Sequence, residues 1–265
     1  MKKDNKSVYG ILLIVSSIVL ILSMTPFVFA EIQGAGVEEG SSTTAPIEAP
    51  GSHDAFAGNL TELVLHSFST TKTWQGYFGN VSGTIRLADA SSNIMYNWSQ
   101  AHPRGQVYAS TNGTGIEWLD IMCFNLTAAG TFGAETPNTP GGSGLVSQNG
   151  LNYTQLHNMF NIPGYAGDGV NDTFISEDHR VFYTSSLEFN ALCPTAKLLT
   201  YEAGEVFQNV LLYEPTSRSV VFTALLEVEK LGFDNRSHDF QMVVLEDGRG
   251  TDIDTTTYYF YLDIE

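Results

Sequence analysis

The stretch Thr73–Trp98 reads TWQGYFGNVSGTIRLADASSNIMYNW, and its reading decides the fold. In Gly83 to Leu87 the apolar Ile85 and Leu87 stand two apart. Ile94, Tyr96 and Trp98 repeat the spacing downstream. Side chains of a strand point alternately to opposite faces, so each run predicts a strand with one apolar and one wetter face. Asp89-Ala-Ser-Ser-Asn93 between them has the length and polarity of a hairpin loop. Gly76, Gly79 and Gly83 predict a bend or a close backbone approach on the upstream side.

The same pattern recurs towards the end of the chain. Val206 to Tyr213 leads through Glu214–Arg218 into Val220 to Val228, with Val220, Phe222, Ala224, Leu226 and Val228 on one face. Phe240 to Leu245 leads through an acidic glycine loop into Tyr258 to Ile264, which predicts a second hairpin in tandem. Shorter strands are expected near Thr61, where Leu63 and Leu65 alternate with Glu62 and Val64, and at Gly105–Ser110. Gly115 to Phe124 fits a helical turn as well as a buried strand. One short helix is expected at Tyr153 to Phe160, with Leu156, Met159 and Phe160 on its buried face and Pro163 closing it. Tandem hairpins with no long amphipathic helix give a mainly β chain, an antiparallel β-sandwich with one or two short helices.

Residues 1–30 stand apart. Lys2, Lys3 and Lys6 precede an apolar run from Tyr9 to Ala30 that ends in Val28-Phe29-Ala30, the pattern of a secretory signal peptide cut after Ala30. The run is also long enough for an uncleaved membrane anchor. Residues 31–56, rich in small, acidic and proline residues, read as a linker or arm able to extend a neighbour's sheet. Residues 57–265 form the sandwich domain, with a long glycine and proline loop over residues 129–150.

Beyond Ala30 the chain has nine basic against 28 acidic residues, a net charge of −19. That balance argues against nucleic acid or anionic lipid as partner and leaves the membrane only to the N-terminal segment. Cys123 and Cys193 are the two cysteines, read as a disulfide closing a long loop, with two separate buried thiols as the alternative.

Beyond Ala30, Asn-x-Ser/Thr triplets begin at Asn59, Asn80, Asn97, Asn112, Asn125, Asn152, Asn171 and Asn235. Chance gives about three in a chain of this composition, so eight point to a densely glycosylated exterior. Asp247, Asp252 and Asp254 gather hard oxygen donors around glycines, as does Gly167–Asp172, and these are the candidate calcium ligands; no other cofactor is expected. The histidines fall at no zinc-helix spacing, and no Gly-x-Ser-x-Gly is present. Glu177-Asp178-His179 is the nearest approach to an acid–base cluster, and its three adjacent polar residues read first as an exposed turn.

TWQGYFGNVSGTI at 73–85, VYAS at 107–110, GF at 232–233, DFQMVV at 239–244 and YYFYLDIE at 258–265 together resemble a group of uncharacterised secreted or surface proteins of archaea. The resemblance implies an archaeal envelope setting and carries no catalytic residue with it. The expectation is therefore a non-catalytic extracellular or cell-surface glycoprotein, structural, adhesive or assembling, whose partners are envelope proteins or copies of itself. The alternatives are a filament subunit that donates residues 31–56 as a strand, and a calcium-dependent carbohydrate-binding module or secreted enzyme.

Overall fold

The computed structural model describes residues 32–126, 151–190, 193–249 and 255–265. The signal segment, the loop over residues 129–150, Asp252 and Asp254 lie outside them. Along the chain run β1 (Gln33–Gly34), β2 (Trp74–Gly79), β3 (Gly83–Ala88), β4 (Ile94–Gln100), β5 (Gly105–Ser110) and β6 (Met122–Cys123). The helices α1 (Tyr153–Met159) and α2 (Val170–Thr173) follow, then β7 (Phe182–Thr184), β8 (Leu187–Phe189) and β9 (Thr195–Leu199). The last strands are β10 (Val206–Glu214), β11 (Ser219–Leu225), β12 (Lys230–Leu231), β13 (Ser237–His238), β14 (Phe240–Leu245) and β15 (Tyr259–Ile264).

The fold is mainly β and antiparallel. A central sheet runs β1-β15-β5-β11-β10-β6, with β9 also on β10. Its heart is β10–β11, in register from Asn209 opposite Ala224 to Glu214 opposite Ser219. The four-residue turn holds because the buried Glu214 carboxylate accepts from the amides of Thr216 and Ser217, both at 2.7 Å. These two strands are rich in Val, Leu and Phe and are buried on both faces, as is β5.

On one face Val107, Ala109, Leu211, Tyr213, Val220, Phe222 and Ala224 meet the β2–β14 ribbon, which supplies Met242 and Val244, and the two helices, which supply Leu156 and Val170. Trp74 of β2 lies edge-on to Phe222 with ring centroids 6.4 Å apart. Two sheets packed through interleaved side chains make this a sandwich. On the opposite face Tyr108, Val210, Leu212, Val221 and Leu225 are covered by Phe182 and Phe189 of β7–β8, by Ile121 and by the cysteine pair. Cys123 and Cys193 are joined as a disulfide, Cα–Cα 4.9 Å, tying β6 to the entry of β9.

Asn209 links the layers. Its side chain donates to the Gln241 carbonyl at 2.7 Å and accepts from the Val243 amide at 2.9 Å, so a buried amide caps an edge of β14 that would otherwise lack partners. Gly105 opens β5 at φ +126°, and a Cβ there would collide with the carbonyl of Asp263 on the neighbouring strand.

Four expectations are corrected. Phe240–Leu245 and Tyr258–Ile264 do not pair with each other: β14 pairs with β2, and β15 with β5 and β1. No strand forms near Thr61, since every residue from 36 to 72 is exposed and those from 59 to 72 lie outside any strand or helix. Gly115–Phe124 is mostly irregular, with only Met122–Cys123 extended. The buried residues of α1 are Leu156 and His157, with Met159 outward.

Candidate functional site

The β3–β4 hairpin is built as the alternation predicted. Ile85 pairs with Trp98, Arg86 with Asn97 and Leu87 with Tyr96, with a register shift after Leu87. Directly opposed residues share a face, so Ile85, Leu87, Tyr96 and Trp98 form one apolar surface while Thr84, Arg86, Asn97 and Ser99 form the other. The Asp89 carboxylate shapes the turn, accepting from the amides of Ser91 at 2.9 Å and Asn93 at 2.8 Å and from the Asn93 side chain at 2.7 Å. The Asn93 side chain and amide hold the Asp89 carboxyl below its usual range.

What the alternation did not foretell is that nothing covers the apolar face. Trp98 is 48 % exposed, Tyr96 58 % and Leu87 50 %, and neither strand has a second neighbour among the described residues. The Tyr96 and Trp98 rings lie 4.8 Å apart, tilted against each other. An isolated two-stranded ribbon is marginal in water, so its feet need holding.

One carboxylate holds both. Asp239, fully buried at the start of β14, accepts from the Val81 amide at 2.9 Å just before β3. It also contacts His102 Nδ1 at 3.0 Å just after β4, and accepts from the Glu229 amide at 3.2 Å. His102 Nε2 faces the Glu229 carboxylate at 3.6 Å. The base of the ribbon is pressed home where Gly83 lies against the side chain of Ile264, a contact that a Cβ at residue 83 would force apart. A buried carboxylate orienting an imidazole is also how a general base is presented. Here the outward nitrogen points at an acid rather than at a hydroxyl, and the arrangement acts as a clasp.

The other sequence-predicted residues are scattered. Asn59, Asn80, Asn97, Asn171 and Asn235 are exposed, and Asn112 and Asn125 half-buried. Asn152 is buried as the N-cap of α1, its side chain accepting from the Gln155 amide at 2.8 Å in a capping box. Asn112 donates to Ser219 Oγ at 2.9 Å and accepts from the amides of Thr114 and Gly115. Of Asp247, Asp252 and Asp254 only Asp247 is described, and its carboxylate accepts from the Arg249 amide at 3.1 Å. In the companion loop Asp168 pairs with Arg249 at 3.3 Å and accepts from Thr71 Oγ1 at 2.6 Å. Among the described residues no three His, Cys, Asp or Glu side chains stand together as a metal site.

Glu177-Asp178-His179 does not converge. Asp178 pairs with Lys197 at 2.9 Å, while His179 donates from Nδ1 to the Arg180 carbonyl at 2.8 Å and is pushed down by burial. His157 is likewise pushed down by burial, and its Nε2 accepts from the Val170 amide at 2.9 Å at the head of α2. The surface of the described residues has shallow depressions. One, of about 430 Å³, is lined by Asn158, Asn161, Pro163, Tyr165 and Arg249; another, of about 360 Å³, lies along Tyr258–Tyr261 beside Val37.

His102 and Asp239 are the residues that sequence reasoning missed. They stand 137 positions apart, and no spacing rule links them. No helix among the described residues is long and apolar enough to cross a membrane. Comparison of the chain with protein-family models, with characterised proteins and with solved structures finds no match.

Proposed function

We propose that this chain is an exported, non-catalytic glycoprotein of the cell surface or extracellular space, in an archaeal envelope, and that its work is association. One observation carries the reading: the aromatic and aliphatic side chains of Ile85, Leu87, Tyr96 and Trp98 are displayed on a clasped hairpin instead of being used in the core. Contiguous exposed apolar surface marks an interaction site. The N-terminal segment, the dense acceptor triplets and the disulfide support the exported setting.

Asn97 fits this use. It lies on the polar face of the hairpin opposite Arg86, so a glycan there would leave the apolar face free. The test is the intact mass of the protein recovered from its host's surface or medium, before and after glycan removal, with the sites mapped. Glycans are expected at the exposed Asn59, Asn80, Asn97, Asn171 and Asn235 and not at Asn152, whose side chain caps a helix. A sugar-free mature chain, or one retained in the cytoplasm, refutes the reading.

A further inference from the structure

We infer that the outer edge of β3 receives residues 61–68 of a second copy of this chain as a third strand, which extends the hairpin's apolar face. The inference rests on the associative reading above and names its partner.

Both halves of the contact are present in one chain, and both are unused within it. The segment TELVLHSF has a strand's alternation yet no strand partner, with Leu65 86 % and Phe68 82 % exposed. It is not a loose tail. Upstream, Gln33–Gly34 pairs with β15 and the Ala35 amide donates to the Phe260 carbonyl at 2.9 Å. Downstream, Thr71 is bonded to Asp168 and Thr73 is fully buried. The stretch between is therefore a loop held at both ends and offered outward.

The chemistry of the two surfaces matches in register. When Leu63 and Leu65 lie beside Ile85 and Leu87, strand alternation puts Glu62 and Val64 on the opposite face, where Arg86 stands. Neither Glu62 nor Arg86 has an ion pair among the described residues. Asn97, with any glycan, lies on β4, the strand away from this edge. A third strand would also give the ribbon the neighbour that independent sheet stability calls for. Loop of one copy onto hairpin of the next closes a pair where the exchange is reciprocal and builds rings or open chains where it is not.

The test is a concentration series of the full chain, as its host processes it, by light scattering and sedimentation. Wild type is expected to associate. Leu63→Asp with Leu65→Asp, and separately Ile85→Ser with Leu87→Ser, are each expected to be monomeric with unchanged circular dichroism. A mixture of the two is expected to form a one-to-one dimer and nothing longer, because only one intact loop then meets one intact hairpin. Glu62→Arg and Arg86→Glu guard against misfolding: each alone should weaken association at least ~tenfold, and together they should restore it. The inference is overturned by a monomeric wild type, by a loop variant that still associates through hairpin-to-hairpin packing, by a mixture that yields no dimer, or by a wild type that instead partitions onto neutral lipid vesicles. A glycosylated monomer would sink the inference and leave the function reading intact. A sugar-free assembler would do the reverse.

Discussion

Two antiparallel ribbons in this molecule have nearly the same sequence texture and opposite fates. β10–β11 is a hairpin of alternating aliphatic and aromatic residues with a turn held by an acid, Glu214; β3–β4 is another, with a turn held by Asp89. The first is buried on both faces at the centre of the sandwich, and the second stands free. The difference lies not in alternation but in what occupies the alternate positions. In β11 the residues between Val220, Phe222 and Ala224 are Val221 and Thr223, so both faces can be buried. In β3–β4 the alternate positions carry Thr84, Arg86, Asn97 and Ser99, which only water or a polar partner will accept.

The comparison is broken most directly at its buried end. Phe222 packs against Trp74 and Tyr258, and its removal leaves a cavity between the two sheets. Phe222→Ala is expected to cost about 3–5 kcal/mol in urea unfolding. A loss below about 1 kcal/mol would mean that the two ribbons do not differ in the way described.

The clasp comes next. Asp239→Ala strips the shared acceptor from Val81, His102 and Glu229, and breaking such a buried polar cluster costs roughly 3 kcal/mol. The diagnostic is where the loss falls. Amides of β3 and β4 should exchange faster in hydrogen-exchange measurements by more than those of β5 and β11, because the hairpin loses both feet at once. Uniform loss of protection would make Asp239 a general core residue instead of a clasp.

A smaller effect follows from His157. Its folded pKa lies below the ordinary ~6.5, so the native ring refuses a proton that the unfolded chain accepts. Its contribution is full above about pH 6.5 and is lost as pH falls from there towards the folded value. His179 is shifted in the same direction and adds to the slope. Urea titrations at pH 7.5 and 5.5 should show stability falling on acidification in wild type, and falling less in His157→Gln.

How much of this was legible in the sequence follows from how local each feature is. The β3–β4 hairpin and its Asp89–Asn93 loop, and the β10–β11 hairpin, rest on alternation and turn chemistry within some 20 residues, and both could be read. The partner of β14 could not, because Trp74–Gly79 lies more than 160 positions upstream and nothing in either strand names the other. The segment near Thr61 was read as a strand because alternation measures a capacity to be covered, not the presence of a cover. His157 was overlooked as a core residue of α1 because its burial depends on the Val170 amide 13 positions on. Asp239 looked like one more acid in an acidic chain, and only the sheet pairing of β2 with β14 brings it under the hairpin's feet.

The exposed end of the comparison gives the smallest expected effect and the sharpest one. Trp98 is the largest side chain on the free ribbon, and in most β proteins its truncation would be among the worst substitutions available. Here it packs on Tyr96 and about half of it already meets water, so less apolar area is at stake than at a core position. Trp98→Ala is therefore expected to lower urea stability of the monomeric protein by only about 1 kcal/mol. The same substitution removes the broadest part of the surface on which association depends, and interface energy concentrates in large aromatic residues. A residue nearly silent for folding and loud for assembly is what a displayed hairpin requires. If Trp98→Ala instead unfolds the monomer, the ribbon is part of the core and the two hairpins differ only in degree.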